Sequence, residues 1–276
     1  MPSVSTWLIA TQALHIAAAQ SVGRYAHETR DYRITYDVNE EHQVYFTFWV
    51  PPPPGKWSPD GSTFIAPLGP GKEFAPGQYS LSEMGNHTYA IDFDGTRKST
   101  HDWYKAIEHL LLRNKIIDYD PNVWYGGIQA GDLTVLTYTS GDSISTTFRN
   151  EDIDFMRVGG ELTPGEYVFK DDEAPHFEIS YAIRLDGIVG IQVACGGPPT
   201  TRFPFKLVRR DEGLPYVRYV LESAGIGTLE DLRQQVRYVC RGQKLGPSDG
   251  SYVVFATEKT IYVELGGVRF GLTKVE

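Results

Sequence analysis

The stretch FEISYAIRLDGIVGIQVA, residues 177–194, decides how the chain is read. Two runs of alternating apolar and polar residues, Phe177 to Leu185 and Gly187 to Ala194, flank Asp186-Gly187. Period-two alternation turns one face of each run toward a core, and Asp-Gly suits the positive φ angles of a type I′ turn. The stretch is therefore an antiparallel hairpin. Working outward, strand-like runs occur at 32–38, 42–50, 133–138, 167–170, 203–208, 251–256 and 260–265. The run at 42–50 alternates as Val44, Phe46, Phe48 and Val50, then stops at Pro51-Pro52-Pro53-Pro54-Gly55, because proline removes the ladder donor. Residues 51–77, rich in Pro and Gly and without periodicity, read as a surface loop carrying Trp57, Phe64 and Phe74.

Two helices stand out. One runs from about Thr100 to Asn114, capped by Ser99 or Thr100, with Trp103, Ile107, Leu110 and Leu111 as its apolar stripe. The other runs from Thr228 to Val239 and places Glu230 and Asp231 in its first turn, where the helix dipole favours negative charge. Near the N-terminus, Trp7, Ala10, Leu14, Ala17, Ser21 and Tyr25 recur at helical spacing. No charge precedes Arg24, so the basic region of a secretory signal is missing; a packed helix is expected, with a targeting segment over residues 1–20 as the alternative. No internal repeat is visible. The expected fold is one α+β domain over residues 1–276, a mainly antiparallel sheet with a few packing helices.

The 26 Lys and Arg against 35 Asp and Glu give a net charge of -9, which argues against nucleic acid and anionic membrane as partners. Two cysteines are too few for a disulfide framework or a structural zinc site. They fit a reducing, intracellular setting, cytoplasmic or nuclear. His101 and His109 share a helix, but no metal-binding spacing surrounds them, and no phosphate-cradling glycine loop is present. Six residues separate Cys195 from Arg202, one too many for a phosphatase loop, so Cys195 reads as a buried strand-end thiol. A Ser/Thr-rich strand such as Ser143 to Thr147 lines the nicotinamide pocket of ADP-ribosyltransferase folds. Arg33 before it and Glu178 or Glu264 after it are candidates to complete such a site, which makes NAD the one cofactor to consider, though none is firmly implied. Ser143, Ser145, Thr146 and Tyr138 are then the substrate-binding candidates. Glu178 and Asp186 offer the alternative of a glycosidase carboxylate pair.

The segment Glu108-His109-Leu110-Leu111-Leu112-Arg113-Asn114 through Tyr119-Asp120-Pro121, followed by Leu133 to Ser140, resembles the RolB/RolC (plast) family. A second block, Thr228 to Leu232 with Tyr252 to Ala256 and Ile261 to Leu265, is similar to that family's closing helix and strands. The resemblance implies an ADP-ribosyltransferase-like fold and a protein that alters plant-type growth or hormone response by acting on a nucleotide or hormone conjugate. It also implies a cleft threonine before a proline, for which Thr163-Pro164 is the best match, with strands inserted over about 165–215. Thr163, Glu178 and Glu264 are thus the catalytic candidates. The alternative is a non-catalytic effector that binds a host protein through the aromatic, Pro-rich loop.

Overall fold

A computed structural model of the chain describes residues 21–275 except 53–55, 59–61, 63, 66–70, 172, 174–175 and 211–216, with backbone alone at 56, 57, 64 and 65. The helix expected from Trp7 onward and the side chains of Trp57 and Phe64 lie outside the described residues. Tyr25, expected on that helix, sits on a strand.

The first half begins with β1 (Gly23–Glu28), β2 (Arg33–Val38) and β3 (Gln43–Val50). An excursion through the short β4 (Lys56–Trp57), β5 (Phe64–Ile65) and β6 (Lys72–Phe74) leads to β7 (Gln78–Gly85) and β8 (Thr88–Asp92). Helix α1 (Thr100–Arg113) and strands β9 (Val135–Ser140), β10 (Ser143–Phe148) and β11 (Glu151–Val158) complete it. Each of these strands except β4, β5 and β6 pairs antiparallel with the next, and β11 returns to pair with β1. The second half has β12 (Gly165–Lys170), β13 (Phe177–Ile183), β14 (Ile188–Cys195), β15 (Phe203–Arg210) and β16 (Arg218–Ser223). After α2 (Leu229–Val239) come β17 (Tyr252–Phe255), β18 (Thr260–Leu265) and β19 (Val268–Val275), and β19 closes onto β12. The expectation of an α+β fold with one sheet is overturned. The described residues are 47% strand and 13% helix, in two closed eight-stranded barrels, and the fold is not ADP-ribosyltransferase-like. Closure removes the sheet edges that an open sheet would have to protect. Residues 165–215, expected as inserted strands, carry the first four strands of the second barrel.

The two barrels are one design built twice: five strands, a helix, three strands. Tyr25 faces Tyr36 across β1 and β2, as Tyr167 faces Tyr181 across β12 and β13. The Tyr25 hydroxyl donates to the Ser21 carbonyl and that of Tyr167 to the Thr163 carbonyl, each four residues back. Both helices open with a capping box, Ser99 with Asp102 and Thr228 with Asp231. A buried aspartate follows each helix, Asp132 or Asp249, and accepts the backbone N–H three residues before it. From there on, each residue of the first barrel matches the residue 117 positions later. Tyr138 pairs with Ile144 as Phe255 pairs with Ile261, and Phe148 with Glu151 as Leu265 with Val268. Over 132–158 against 249–275 only Asp132/Asp249, Ile144/Ile261 and Val158/Val275 are identical, so the repeat is invisible to residue matching. Alternation, turn geometry and burial repeat instead.

Both interiors are filled. Tyr36, Phe46, Phe48 and Phe155 pack with Trp103 of α1 in the first barrel, and Tyr181, Phe205 and Phe255 with Leu232 and Val236 of α2 in the second. Burying each such side chain contributes about 1.5–3 kcal/mol. Phe74, expected on an exposed loop, is buried with its ring 6.3 Å from those of Phe46 and Trp103. Under α2 a cavity of about 10 Å³ remains. That is room for about one water, far less than the ligand chambers that larger barrels enclose. Cys195, at the end of β14, and Cys240, the C-cap of α2, form a disulfide rather than the expected thiols, with their Cα atoms 5.3 Å apart. It ties the helix to the barrel wall.

Candidate functional site

The barrels meet where the outer face of β17 to β19 covers one end of the first barrel. Arg157, on the inward register of β11 beside Ile153 and Phe155, is only 1% exposed. Its Nε donates to Asp142 at 3.0 Å, and one Nη donates to the Tyr25 hydroxyl at 2.6 Å and the Gly141 carbonyl at 2.5 Å. The other Nη donates to the Val22 carbonyl, and the guanidinium lies 4.4 Å from the ring centroid of Tyr262, on β18. Asp142 also accepts from Arg269 of β19. A buried cation with four of its five N–H donors engaged by the protein itself is a joint rather than a ligand site. Glu40 adds to it, accepting from Thr257 at 2.5 Å and Thr260 at 2.7 Å.

Beside this joint runs a groove of about 550 Å³, lined from the first barrel by Arg24, Asp37, Asn39 and Tyr45 and from the second by Thr257 and Glu258. The connecting segment Val158 to Thr163 forms its floor. That segment is fixed by contact. A Cβ on Gly159 would sit 1.8 Å from the Val217 carbonyl, so only glycine fits there. Gly160 N–H donates to the Phe255 carbonyl at 2.7 Å, and Leu162 N–H to the Tyr219 hydroxyl at 2.9 Å. Arg24 is held by Asp37 through two bonds of 2.5 and 3.2 Å, and Glu161 by Arg209 at 2.6 Å. With both cations committed, the lining presents carboxylate, amide and hydroxyl oxygens, and Tyr45 adds a ring that is 41% exposed. Such a groove accepts hydrogen bonds more readily than it gives them.

Of the expected site residues, Thr163 alone lines this groove. Its hydroxyl donates to the Glu161 carbonyl at 3.3 Å. Glu178 is on β13, paired with Lys170 at 3.3 Å, and Glu264 is on β18, accepting from the Tyr252 hydroxyl. Three strand steps separate them around the barrel, about 14 Å at ordinary strand spacing, so they do not form a retaining-glycosidase pair. Burial and the Glu264 carboxylate push the Tyr252 phenol up to about 12, so this pair keeps its proton on the phenol. Asp186, the other carboxylate considered with Glu178, is held by Arg184 at 2.9 Å. Arg33 binds Glu28 at 2.7 Å on another part of the surface. The Ser/Thr strand is β10, and its residues alternate across the wall. Thr146 points into the packed interior, while Ser143 bonds Thr139 and Ser140, and Ser145 reaches the Ile153 carbonyl at 3.5 Å. Tyr138 is interior, its hydroxyl donating to the Ser21 carbonyl at 3.3 Å.

Among the described residues no three His, Cys, Asp or Glu side chains gather into a metal site, and no helix is long and apolar enough to cross a membrane. No family model, no curated protein and no solved structure matches the chain. Arg24, Asp37 and Glu258 escaped the sequence reading because nothing local marks them; the Gly159-Gly160 step was the one signal that a barrel junction lay near.

Proposed function

We propose that this is a ligand-binding protein whose inter-barrel groove receives an uncharged or cationic small molecule rich in hydroxyl donors. A glycoside-type hormone conjugate meets that description and agrees with the growth-related role that the family resemblance implies. The groove's chemistry carries the reading: three carboxylates, Asp37, Glu161 and Glu258, stand against two cations, Arg24 and Arg209, each already paired with one of them. An excess of carboxylates repels the pyrophosphate of NAD or ADP-ribose and welcomes hydroxyl or ammonium donors. The disulfide supports an oxidising compartment in place of a reducing one. The effector alternative loses one of its three contact aromatics, since Phe74 is buried.

Thermal-shift and calorimetric titrations with cytokinin and auxin glucosides, set against NAD and ADP-ribose, test this. A glucoside at 100 times its dissociation constant is expected to stabilise the fold by about 2.7 kcal/mol, with Glu258→Gln or Thr163→Val weakening it at least fivefold. Stabilisation by NAD alone, or by none of these compounds, would discard the reading.

A further inference from the structure

The repeat shows what the first barrel has beyond the common frame. Its connection from α1 to β9 takes 21 residues, 114–134, where the second barrel needs 12, 240–251. Function in duplicated frames concentrates in such additions, because packing does not require them. The added chain is firmly built. Tyr125, Gly126 and Gly127 all have positive φ, at 50°, 62° and 91°. A Cβ on Gly126 would meet Ile117 Cδ1 at 2.3 Å. Arg149, on the β10–β11 turn, donates from Nε to the Gly126 carbonyl at 2.8 Å, and the Tyr125 hydroxyl bonds His101 of α1. Yet this anchored loop leaves Tyr119 75% and Trp124 78% exposed.

Next to them is a hollow of about 230 Å³ lined by Glu108, Ile117, Asp118, Tyr119, Asp120 and Arg149. Its volume is below that of ordinary drug-sized sites and suits a single ring. Glu108 and Asp118 make no ion pair or side-chain hydrogen bond with another described residue. Three carboxylates against one guanidinium disfavour phosphates and other anions. The hollow combines an apolar wall of Leu112, Ile116, Ile117 and Val123 with these four charged side chains, whereas the centre of a protein interface is depleted of charge. The Tyr119 ring beside carboxylates and a guanidinium, with the exposed Trp124 next along the chain to Val123 of the same hollow, matches a sugar: its C–H face stacks on a ring, and its hydroxyls donate to carboxylates and accept from Arg.

We propose that the α1–β9 loop of the first barrel is a binding site for a neutral oligosaccharide, with Tyr119 and Trp124 as stacking platforms and Glu108, Asp118 and Arg149 as its hydrogen-bonding rim. The site lies at the opposite end of the first barrel from the inter-barrel groove, because the two termini of β10 mark those two ends. The test is calorimetric titration of the full chain with soluble cellohexaose, N-acetylchitohexaose, mannohexaose and xylohexaose. At least one is expected to bind, with Trp124→Ala and Tyr119→Ala each weakening it tenfold or more and Trp124→Phe staying within threefold. Both positions are exposed, so unchanged circular dichroism is expected of these variants. Glu258→Gln, which alters only the groove, is expected to leave sugar binding intact, so the two sites fail or stand separately. Absence of binding by all four sugars at millimolar concentration overturns the proposal, and so does a Trp124→Ala protein that binds as the parent does. A protein ligand lost with Trp124→Ala, in the absence of sugar binding, would reassign the loop to protein docking.

Discussion

The two barrels share a frame down to the register of their last three strands, yet their equivalent ends have different chemistry. At one end of the first barrel, Arg157 is sealed under Tyr262 and bound to Asp142. The equivalent residues of the second barrel are Lys274 and Lys259. Lys274 lies 6.0 Å from the Tyr167 ring, as Arg157 lies 4.9 Å from Tyr25, and the backbone bonds match: Arg157 N–H to Asp142 O at 2.8 Å, Lys274 N–H to Lys259 O at 2.7 Å. Arginine serves the buried end because its planar fork can satisfy several acceptors at once, whereas lysine is a point charge suited to a half-exposed end. A repeated frame thus supports one end that joins and one that borders a groove.

The sharpest way to break this comparison is to truncate both cations. Arg157→Ala leaves Asp142 with Arg269 alone, strands three oxygen acceptors in a buried joint and is expected to cost about 3–5 kcal/mol, read as a fall in the urea midpoint. Lys274→Ala removes a half-exposed contact and is expected to cost under about 1 kcal/mol. Equal losses would mean that the two ends are energetically alike and that the asymmetry drawn above is wrong.

The disulfide belongs to the second barrel alone. Its cysteines are 45 residues apart, and closing a loop of that size corresponds to about 4 kcal/mol on the chain-entropy scale, with measured values more often about 2–4. Replacing both cysteines with alanine is therefore expected to lower the denaturation temperature by several degrees. An unchanged midpoint would show that packing of α2 through Leu232 and Val236 suffices without the bond.

The capping boxes sharpen the comparison from the other side, since here the barrels are expected to behave alike. Ser99→Ala and Thr228→Ala each remove a hydroxyl from a helix N-terminus and are expected to cost about 1 kcal/mol. A marked difference between them in chemical denaturation would reveal that one helix is held mainly by tertiary contacts.

The smallest expected effect is on pH dependence. Burial acts to raise the Glu40 pKa, but hydroxyl donation from Thr257 and Thr260 prevails and holds it below the ordinary value. A lowered carboxylate pKa contributes stability that is present above the unfolded value, about 4.3, and is lost as pH falls through the folded one. Acidification below that range is expected to loosen the joint. Glu40→Gln should flatten this part of the stability profile, and an acid limb identical to the parent's would exclude Glu40 as a contributor.

Much of the second barrel was legible in the chain. The hairpin at Asp186-Gly187, α2 and β18, and α1 in the first barrel, could be read because each carries one local signal, a turn dipeptide, a cap or alternation; the turn itself has positive φ at Gly187 alone, so it is not of type I′. The strand at 143–148 was legible as Ser/Thr-rich, whereas those at 23–28, 78–85, 88–92, 151–158, 218–223 and 268–275 were harder. In β10 and β11 the outward Ser143, Ser145, Thr147, Asp152 and Asp154 are polar, while Thr146 and Arg157 face inward and Met156 outward, which blurs the alternation, and β19 carries Gly271 in mid-strand. The repeat was present in Gly23-Arg24-Tyr25 against Gly165-Glu166-Tyr167, and in Ile34-Thr35-Tyr36 against Ile179-Ser180-Tyr181. These echoes sit at offsets of 142 and 145 residues, and loops of unequal length hide them from a search at one period.

The amino-acid sequence by itself determined local structure: which residues turn, which cap a helix and which face a core, because those choices depend on neighbours within a few positions. Tertiary structure alone decided that the strands close into two barrels, that Cys195 meets Cys240, and that Arg157 becomes a joint while Thr163 and Glu258 face a groove. Each of these depends on the pairing of β1 with β11 and β12 with β19, contacts between residues more than a hundred positions apart. Loop-closure entropy and mutual burial select such contacts, and no short window of sequence encodes them.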